Sequence, residues 1–468
     1  MTASALPHTA ARSASPAPAG ARDTPPPTVD ELLSVAVGAV PGGTDRPGQR
    51  AMASAIAQAV ATREHLLAQA GTGTGKSLAY LVPAMLVDGP VVISTATLAL
   101  QSQLVDHDLP RLAAAVSPVL ARRPTFAVLK GRHHYLCLAR LEGGMENDQQ
   151  EALFDASGDK PARWLGEAGR LGRQIQRLRD WAMETETGDR DELDPGVDDM
   201  AWRLSSMPAR ECVGAARCQY GMDCFAEASR ERARSADIVI TNHSLLAVDM
   251  MAGGHILPEH KLLIIDEAHE LAERVSSASQ AELTPEMVAR AVRRAGKLVD
   301  ADRTEALAEA GEALATGLAE TTTGRLTDGV PPLLCETLAL LDAAARRIFE
   351  AIGEVKTDDE RALDKQQART VLGDLSLISQ RFLAQKAQDV LWTERNDRGR
   401  RALVVAPLSV SETLRSRLYA DRTVILTSAT LALGGTFDTI ANVLGLGPTA
   451  PGTGGTASAE DAAGAETP

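Results

Sequence analysis

The stretch Ala70-Gly71-Thr72-Gly73-Thr74-Gly75-Lys76-Ser77 follows a short apolar run, His65 to Gln69, and opens a segment of helical period from Lys76 to about Leu86. Strand, glycine-rich turn and helix in this order are the parts of a phosphate-binding loop. Glycines let backbone N–H groups converge on phosphate oxygens, and the helix N-terminus adds a favourable dipole. Gly71, Thr72, Gly73, Thr74 and Gly75 are the expected cradle. Lys76 is expected to reach the outer phosphates, and the Ser77 hydroxyl to ligate Mg²⁺. Ala70 stands where the strict pattern has glycine, but the glycines nearest the phosphates remain.

Outward from the loop, strand and helix signals alternate. Val29 to Val40 and Arg50 to Ala61 read as helices before it. Val91 to Ser94, Phe126 to Leu129, Asp237 to Thr241 and Leu262 to Asp266 read as strands after it. Apolar runs ending in polar residues are how buried parallel strands present chemical groups at their C-terminal edge, so the expected fold is α/β with a doubly wound parallel sheet. Two further sheet strands are expected at Ala402 to Ala406 and Val424 to Thr427.

The strand ending at Asp266 continues as Asp266-Glu267-Ala268-His269. A carboxylate at such a strand end can hold a metal, and a second beside it can polarise an attacking water. Asp266 is the expected Mg²⁺-side residue and Glu267 the residue that orients or deprotonates water. With Lys76 they form the expected catalytic set for ATP hydrolysis.

Between Gly131 and about Arg230 the alternation stops, and four of the five cysteines fall there: Cys137, Cys212, Cys218 and Cys224. Their spacing matches neither the usual zinc nor the usual ferredoxin runs. Four clustered thiols suggest a metal site, with zinc and iron equally open, and His133 or His134 as substitute ligands. Cys335 lies on an apolar helical face and is expected to be buried.

The net charge of −14 excludes a general nucleic-acid glue, although it leaves room for a narrow basic groove. A hydrophobic fraction of 44% supports a sizeable core, and with aromatics at 3% that core must be mostly Ala, Leu and Val. No apolar run is long enough to span a membrane, and no secretory signal is present in the Ala/Pro-rich start. A cytoplasmic protein is expected.

Taken together the motifs resemble the iron–sulfur branch of the superfamily-2 DNA helicases, the XPD/DinG family, over about Arg46 to Leu431. Arg46 and Gln49 look like the adenine-reading motif. Thr95, Thr97 and Gln101 look like the motif that touches the single strand's backbone. Asp266 to His269 matches the acidic box, and Thr427, Ser428, Ala429 and Thr430 match the motif that, with His269, couples hydrolysis to DNA movement. The resemblance implies a RecA-like domain carrying two insertions. It makes Cys137, Cys212, Cys218 and Cys224 the ligands of a [4Fe–4S] cluster, and it places Lys130, Arg132 and Tyr135 on the DNA path. A second basic stretch runs from Arg163 through Arg170, Arg173 and Arg177 to Arg179.

The expected organisation is a disordered tail (1–28), the first part of the RecA-like domain (29–130), the iron–sulfur insert (131–230), the acidic-box segment (231–270), a helical arch (271–392), the end of the RecA-like domain (393–446) and a tail or linker (447–468). The implied function is ATP-dependent unwinding, moving 5′ to 3′ on single strands and at single-strand/duplex junctions, with a role in DNA repair. The family's second motor domain is not recognised after Thr430, so a partner chain or a missing segment is expected to supply it. The competing expectation is a non-motor module that binds single strands or senses redox state through its cluster.

Overall fold

The computed structural model describes residues 27–447 apart from 72, 98–99, 102, 144–160, 357–360, 396–399 and 434. The two expected tails therefore lie almost wholly outside the described residues, as does Thr72.

Six strands form one parallel sheet: β1 Leu66–Gln69, β2 Val91–Thr95, β3 Phe126–Val128, β4 Ile238–Asn242, β5 Leu262–Asp266 and, last in the chain, β10 Thr423–Ser428. Their order is β1-β10-β5-β2-β4-β3, every neighbouring pair parallel. The central strands are apolar on both faces because helices cover both. Leu262, Leu263, Ile264 and Ile265 are each at most 1% exposed, and each such side chain contributes about 1.5–3 kcal/mol on burial. One face packs under the helices Val29–Gly38, Pro47–Thr62, Lys76–Ala84 and Leu109–Leu120. The other packs under His243–Met251, Leu271–Ser279 and Ser411–Leu418. The first helix begins at a capping box in which Thr28 and Glu31 satisfy each other's backbone N–H groups.

Strand order decides where the chemistry sits. The chain returns from far downstream to insert β10 between β1 and β5, with Gln69 opposite Ser428 and Thr427 opposite Asp266. Phosphate loop, acidic box and the Thr427–Thr430 motif thus share one edge of the sheet.

The described residues of 131–230 form helices and short turns joined by isolated bridges, Tyr135 to Asp189 and Leu136 to Ser206. Its own small core includes Leu136, Leu178 and Trp202.

The second insertion is not wholly helical. Helices Pro285–Ala295, Ala301–Glu320, Pro332–Ile352 and Ala362–Ala384 pack on an antiparallel sheet of β6 Ala281–Leu283, β7 Gly324–Arg325, β8 Asp389–Arg395 and β9 Arg401–Pro407, in the order β6-β9-β8-β7. This corrects the expectation for Ala402 to Ala406, which pairs with β8 and β6 instead of joining the parallel sheet. An apolar run signals a buried strand, but it does not say which sheet buries it. The antiparallel sheet thus continues through β9 to Pro407.

The two insertions touch. Glu211 lies 3.6 Å from Arg140 in the first and 3.3 Å from Arg294 in the second. Arg210 pairs with Asp374 at 3.0 Å, and the Thr370 hydroxyl donates to Arg210 O at 2.8 Å. Among the described residues no helix is long and apolar enough to cross a membrane.

Candidate nucleotide site and cysteine site

Gly73 and Gly75 have φ of +74° and +83°, the left-handed region that glycine enters without strain. Gly75 is also pinned from outside. Gln49, 4% exposed, donates its amide to Gly75 O at 2.9 Å. A Cβ on Gly75 would lie 2.2 Å from that same amide nitrogen. Thr74 closes the turn through its hydroxyl to Gly71 O at 2.7 Å. The helix Lys76–Ala84 starts at once, aiming its free N–H groups into the loop.

Lys76 Nζ lies 2.6 Å from Glu267 Oε1 and 3.9 Å from Asp266 Oδ1. One helical turn on, the fully buried Tyr80 donates to Asp266 Oδ2 at 3.1 Å. Ser428 Oγ donates to Glu267 Oε2 at 2.9 Å and sits 2.8 Å from His269 Nδ1. The expected residues Lys76, Asp266, Glu267, Ser428 and His269 therefore form one continuous polar chain. Glu267 takes a left-handed backbone, φ 53° and ψ 47°, an uncommon conformation for a non-glycine residue that tends to occur at functional sites.

The two carboxyls are driven in opposite directions. Burial is the largest influence on Asp266 and holds it above its ordinary value, with the Glu267 charge adding and the Lys76 charge opposing. Burial also pushes Glu267 up, but the hydrogen bonds from Lys76 and Ser428, with the charge of Lys76, reverse this and leave it below its ordinary value. Tyr80 is raised well above its usual value by burial and by the Asp266 charge.

Other expected site residues are placed less directly. Ser77 follows Lys76 in the same first helical turn, and Thr430 N donates to Ser428 Oγ at 3.3 Å. The Thr427 hydroxyl is buried without a hydrogen-bond partner, beside Asp266 in register. Arg46 is exposed at the N-cap of Pro47–Thr62. Thr95 is buried at the end of β2, Thr97 is exposed beyond it, and Gln101 is 2% exposed with neither amide atom hydrogen-bonded.

Lys130, Arg132 and Tyr135 do not face outward as expected. Lys130 Nζ is held between Asp189 and Asp191 at 2.6 and 2.8 Å. Arg132 pairs with Glu227, and Tyr135, 3% exposed, shares a hydrogen bond of 2.7 Å with Ser229. Their partners on the insert and on Phe225–Ser235 turn them into the seam that fixes the insert to the sheet. The arginines of Pro161–Ala182 are also partly used up: Arg170 lies 3.5 Å from Asp198, and Arg179 donates to Leu141 O at 3.1 Å.

Cys137, Cys212, Cys218 and Cys224 all line one cavity. Each sits where a short helical element begins or ends. Cys137 precedes Leu138–Gly143, Cys212 and Cys218 each follow a 3₁₀ turn, and Cys224 caps Phe225–Ser235. All four are free thiols. Burial pushes Cys137 up to about 11, with the other three cysteines adding to the effect, and raises Cys218. Neither His133 nor His134 lines the cavity. Among the described residues no group of three or more His, Cys, Asp or Glu side chains is arranged to hold a metal ion. Cys335 is half-buried against the helical insertion's core, its thiol 3.4 Å from Val330 O.

Sequence reasoning missed Tyr80, whose four-residue spacing from Lys76 placed it on the same helix face. It also missed Gln69, the polar end of β1, whose Oε1 accepts from Leu431 N at 2.8 Å and Ala432 N at 2.5 Å.

No family model matches the chain. The ATP-dependent helicase DinG of Mycobacterium tuberculosis is 45% identical over 441 residues, covering 90% of this chain and 64% of that protein. The ATP-dependent DNA helicase YoaA of Escherichia coli is 39% identical over 243 residues, covering 51% of this chain and 35% of its own. A solved XPD helicase superposes with a TM-score of 0.48 at 15% identity, over 86% of this chain and 61% of its own. The chain is thus similar over nine-tenths of its length to a DinG-type helicase, and it spans 64% of that relative's length.

Proposed function

We propose that this chain is the nucleotide-binding motor portion of an ATP-dependent DNA helicase of the XPD/DinG family. The observation that supports this best is the polar chain Lys76–Glu267–Ser428–His269, which ties three motifs together across adjacent strand ends. In this reading Gly71 to Gly75 cradle the phosphates, Lys76 divides its charge between phosphate and Glu267, and Ser77 and Asp266 hold Mg²⁺. Glu267, kept ionised by Lys76 and Ser428, orients and deprotonates the attacking water. Gln49 keeps the loop in shape from its far side. Thr97, exposed beyond β2, contacts single-stranded DNA, with the buried Thr95 and Gln101 shaping the turn that carries it, and translocation runs 5′ to 3′ toward single-strand/duplex junctions. An arginine from a second motor lobe, on a partner chain or further along a longer protein, completes the site.

The four cysteines are read as the ligands of a [4Fe–4S] cluster. Their common cavity supports this, because four thiols facing one space match the ligand demand of one such cluster. When bound, the cluster would supply a rigid cross-link among the turns that carry the cysteines, and its binding would displace the thiol protons, those of Cys137 and Cys218 against a pKa that burial has raised.

The test is ATP hydrolysis by the chain purified without oxygen, with and without single-stranded DNA, beside Lys76→Ala. DNA-stimulated hydrolysis abolished by Lys76→Ala is the expected result for the motor in a form that has its second lobe. Hydrolysis that survives Lys76→Ala would overturn the assignment of the loop.

A further inference from the structure

Behind the acidic box, Ser94 and His243 face each other. Ser94 Oγ lies 2.7 Å from His243 Nδ1, and both residues are 0% exposed. Ser94 is the penultimate residue of β2 and stands in register with Thr241 of β4 on one side and Ile265 of β5 on the other. His243 opens the helix after β4, where the Asn242 side chain accepts from Leu245 N at 2.8 Å. Burial lowers the His243 pKa to about 4, although the adjoining backbone of Glu267 and Asp266 opposes this, so the ring is neutral. Its Nε2 has no well-aligned hydrogen-bond partner, the nearest groups being the backbone of Glu267 and Asp266. An orphaned nitrogen in a sealed core costs free energy that an apolar residue of similar size would not. The core alone gives no reason for an imidazole here, but its two neighbours do.

On one side, Ser94 leads straight into the turn after β2. There the Thr95 hydroxyl lies 3.3 Å from Thr97 O and 3.4 Å from Thr241 O, and Leu100 N donates to the Thr97 hydroxyl at 3.3 Å. On the other side Ser94 stands opposite Ile265, the residue before Asp266, and the ring lies beside the Asp266–Glu267 backbone, where Glu267 takes its left-handed geometry. We propose that His243, held by Ser94, is a positioning residue that couples the loop after β2 to the acidic box, so that a single strand on that loop changes the affinity of the site for nucleotide. Any shift of the β2 end moves Ser94, the hydrogen bond carries the ring with it, and the ring presses on the peptide that sets Glu267. Linkage makes the effect reciprocal: nucleotide must change the affinity for the strand by the same factor. The inference rests on the motor reading and adds to it a route from strand to nucleotide.

The experiment titrates a fluorescent, non-hydrolysable ATP analogue with Mg²⁺ into the whole chain, with and without an oligothymidylate, in wild type, Ser94→Ala, His243→Ala and His243→Asn. Asn places an amide near the position of Nδ1 and can keep the bond to Ser94. In wild type, DNA is expected to change nucleotide affinity by about fivefold or more. In Ser94→Ala and His243→Ala the ratio falls to near one while each ligand still binds alone, and His243→Asn restores it. A purely structural role would weaken both ligands together and would not be rescued. A wild-type ratio in Ser94→Ala, a small substitution that carries the test if His243→Ala fails to fold, overturns this inference alone. A wild type that binds both ligands without coupling also overturns this inference, whereas the motor reading falls only if hydrolysis survives Lys76→Ala.

Discussion

Ser428 Oγ donates to Glu267 Oε2 at 2.9 Å, and this bond joins the end of β10 to the acidic turn after β5. A hydroxyl has one proton, so with Glu267 receiving it, His269 Nδ1 must be the donor across the 2.8 Å contact to Ser428 Oγ. The tautomer of His269 is therefore set by the charge of Glu267. The result is a relay in which the residue meant to activate water also senses the motif meant to report DNA movement.

Ser428→Ala removes one of the two hydrogen bonds that hold the Glu267 carboxyl below its ordinary value. A hydrogen bond to a charged group contributes roughly 1.5–3 kcal/mol, so DNA-stimulated ATP turnover is expected to fall by roughly ten- to a hundredfold. Ser428→Thr, which keeps the hydroxyl, should retain most of the rate. Steady-state hydrolysis of the three proteins decides it, and equal rates in wild type and Ser428→Ala would remove Ser428 from the relay.

Asp266 and Glu267 contribute to stability with opposite signs. The folded-state pKa of Asp266 is raised, so its favourable contribution is full below the unfolded value and is lost as pH rises through the folded one. Glu267 is depressed, so its contribution is present above the unfolded value and lost as pH falls through the folded one. Asp266→Asn removes the first and keeps the second, while the amide can still accept from Glu267 N and donate to the Tyr80 hydroxyl. Its Tm should therefore match or exceed wild type at pH 7, with a smaller difference near pH 4, although Mg²⁺-dependent hydrolysis is lost. A Tm well below wild type at pH 7 would mean that the ionised carboxylate stabilises the fold.

The phosphate loop and acidic box were legible because each is a continuous string attached to an apolar strand. Gln49 and Gly75, Ser428 and Glu267 could be matched to motifs, but their contacts depend on β10 inserting between β1 and β5, and nothing local to Thr423–Ser428 encodes that place. The cations Lys130 and Arg132 suggested a nucleic-acid contact because their counter-charges, Asp189, Asp191 and Glu227, lie far along the chain. Four cysteines without a standard spacing suggested a metal site but left its identity open. Their convergence needed turns whose geometry depends on close backbone approaches, as at Gly221, where a Cβ would lie 2.1 Å from Ala215 O.

The metal assignment has a direct readout. Anaerobically purified protein is expected to carry about four irons with matching acid-labile sulfide and a broad visible absorbance, and Cys218→Ser should lose both. Zinc in stoichiometric amount with no visible absorbance would replace the cluster with a single-ion site.

Gln69 closes the β10 side of the site. Its Oε1 accepts from both Leu431 N and Ala432 N, which fixes the chain immediately after the Thr427–Thr430 motif to the strand that carries the phosphate loop. Gln69→Ala leaves those two N–H groups without their acceptor. Amide exchange at Leu431 and Ala432 should then speed up by about the factor that one or two hydrogen bonds of ~1 kcal/mol each imply, roughly five- to thirtyfold. Exchange within β5 should be unchanged, because Leu262–Asp266 is held by its own neighbours. Gln69→Glu offers two acceptor oxygens in nearly the same place and should keep the protection, so the pair of variants separates loss of the acceptor from loss of side-chain volume. Fast exchange at both amides in wild type, or protection that survives Gln69→Ala, would show that the loop after β10 is held by something other than Gln69.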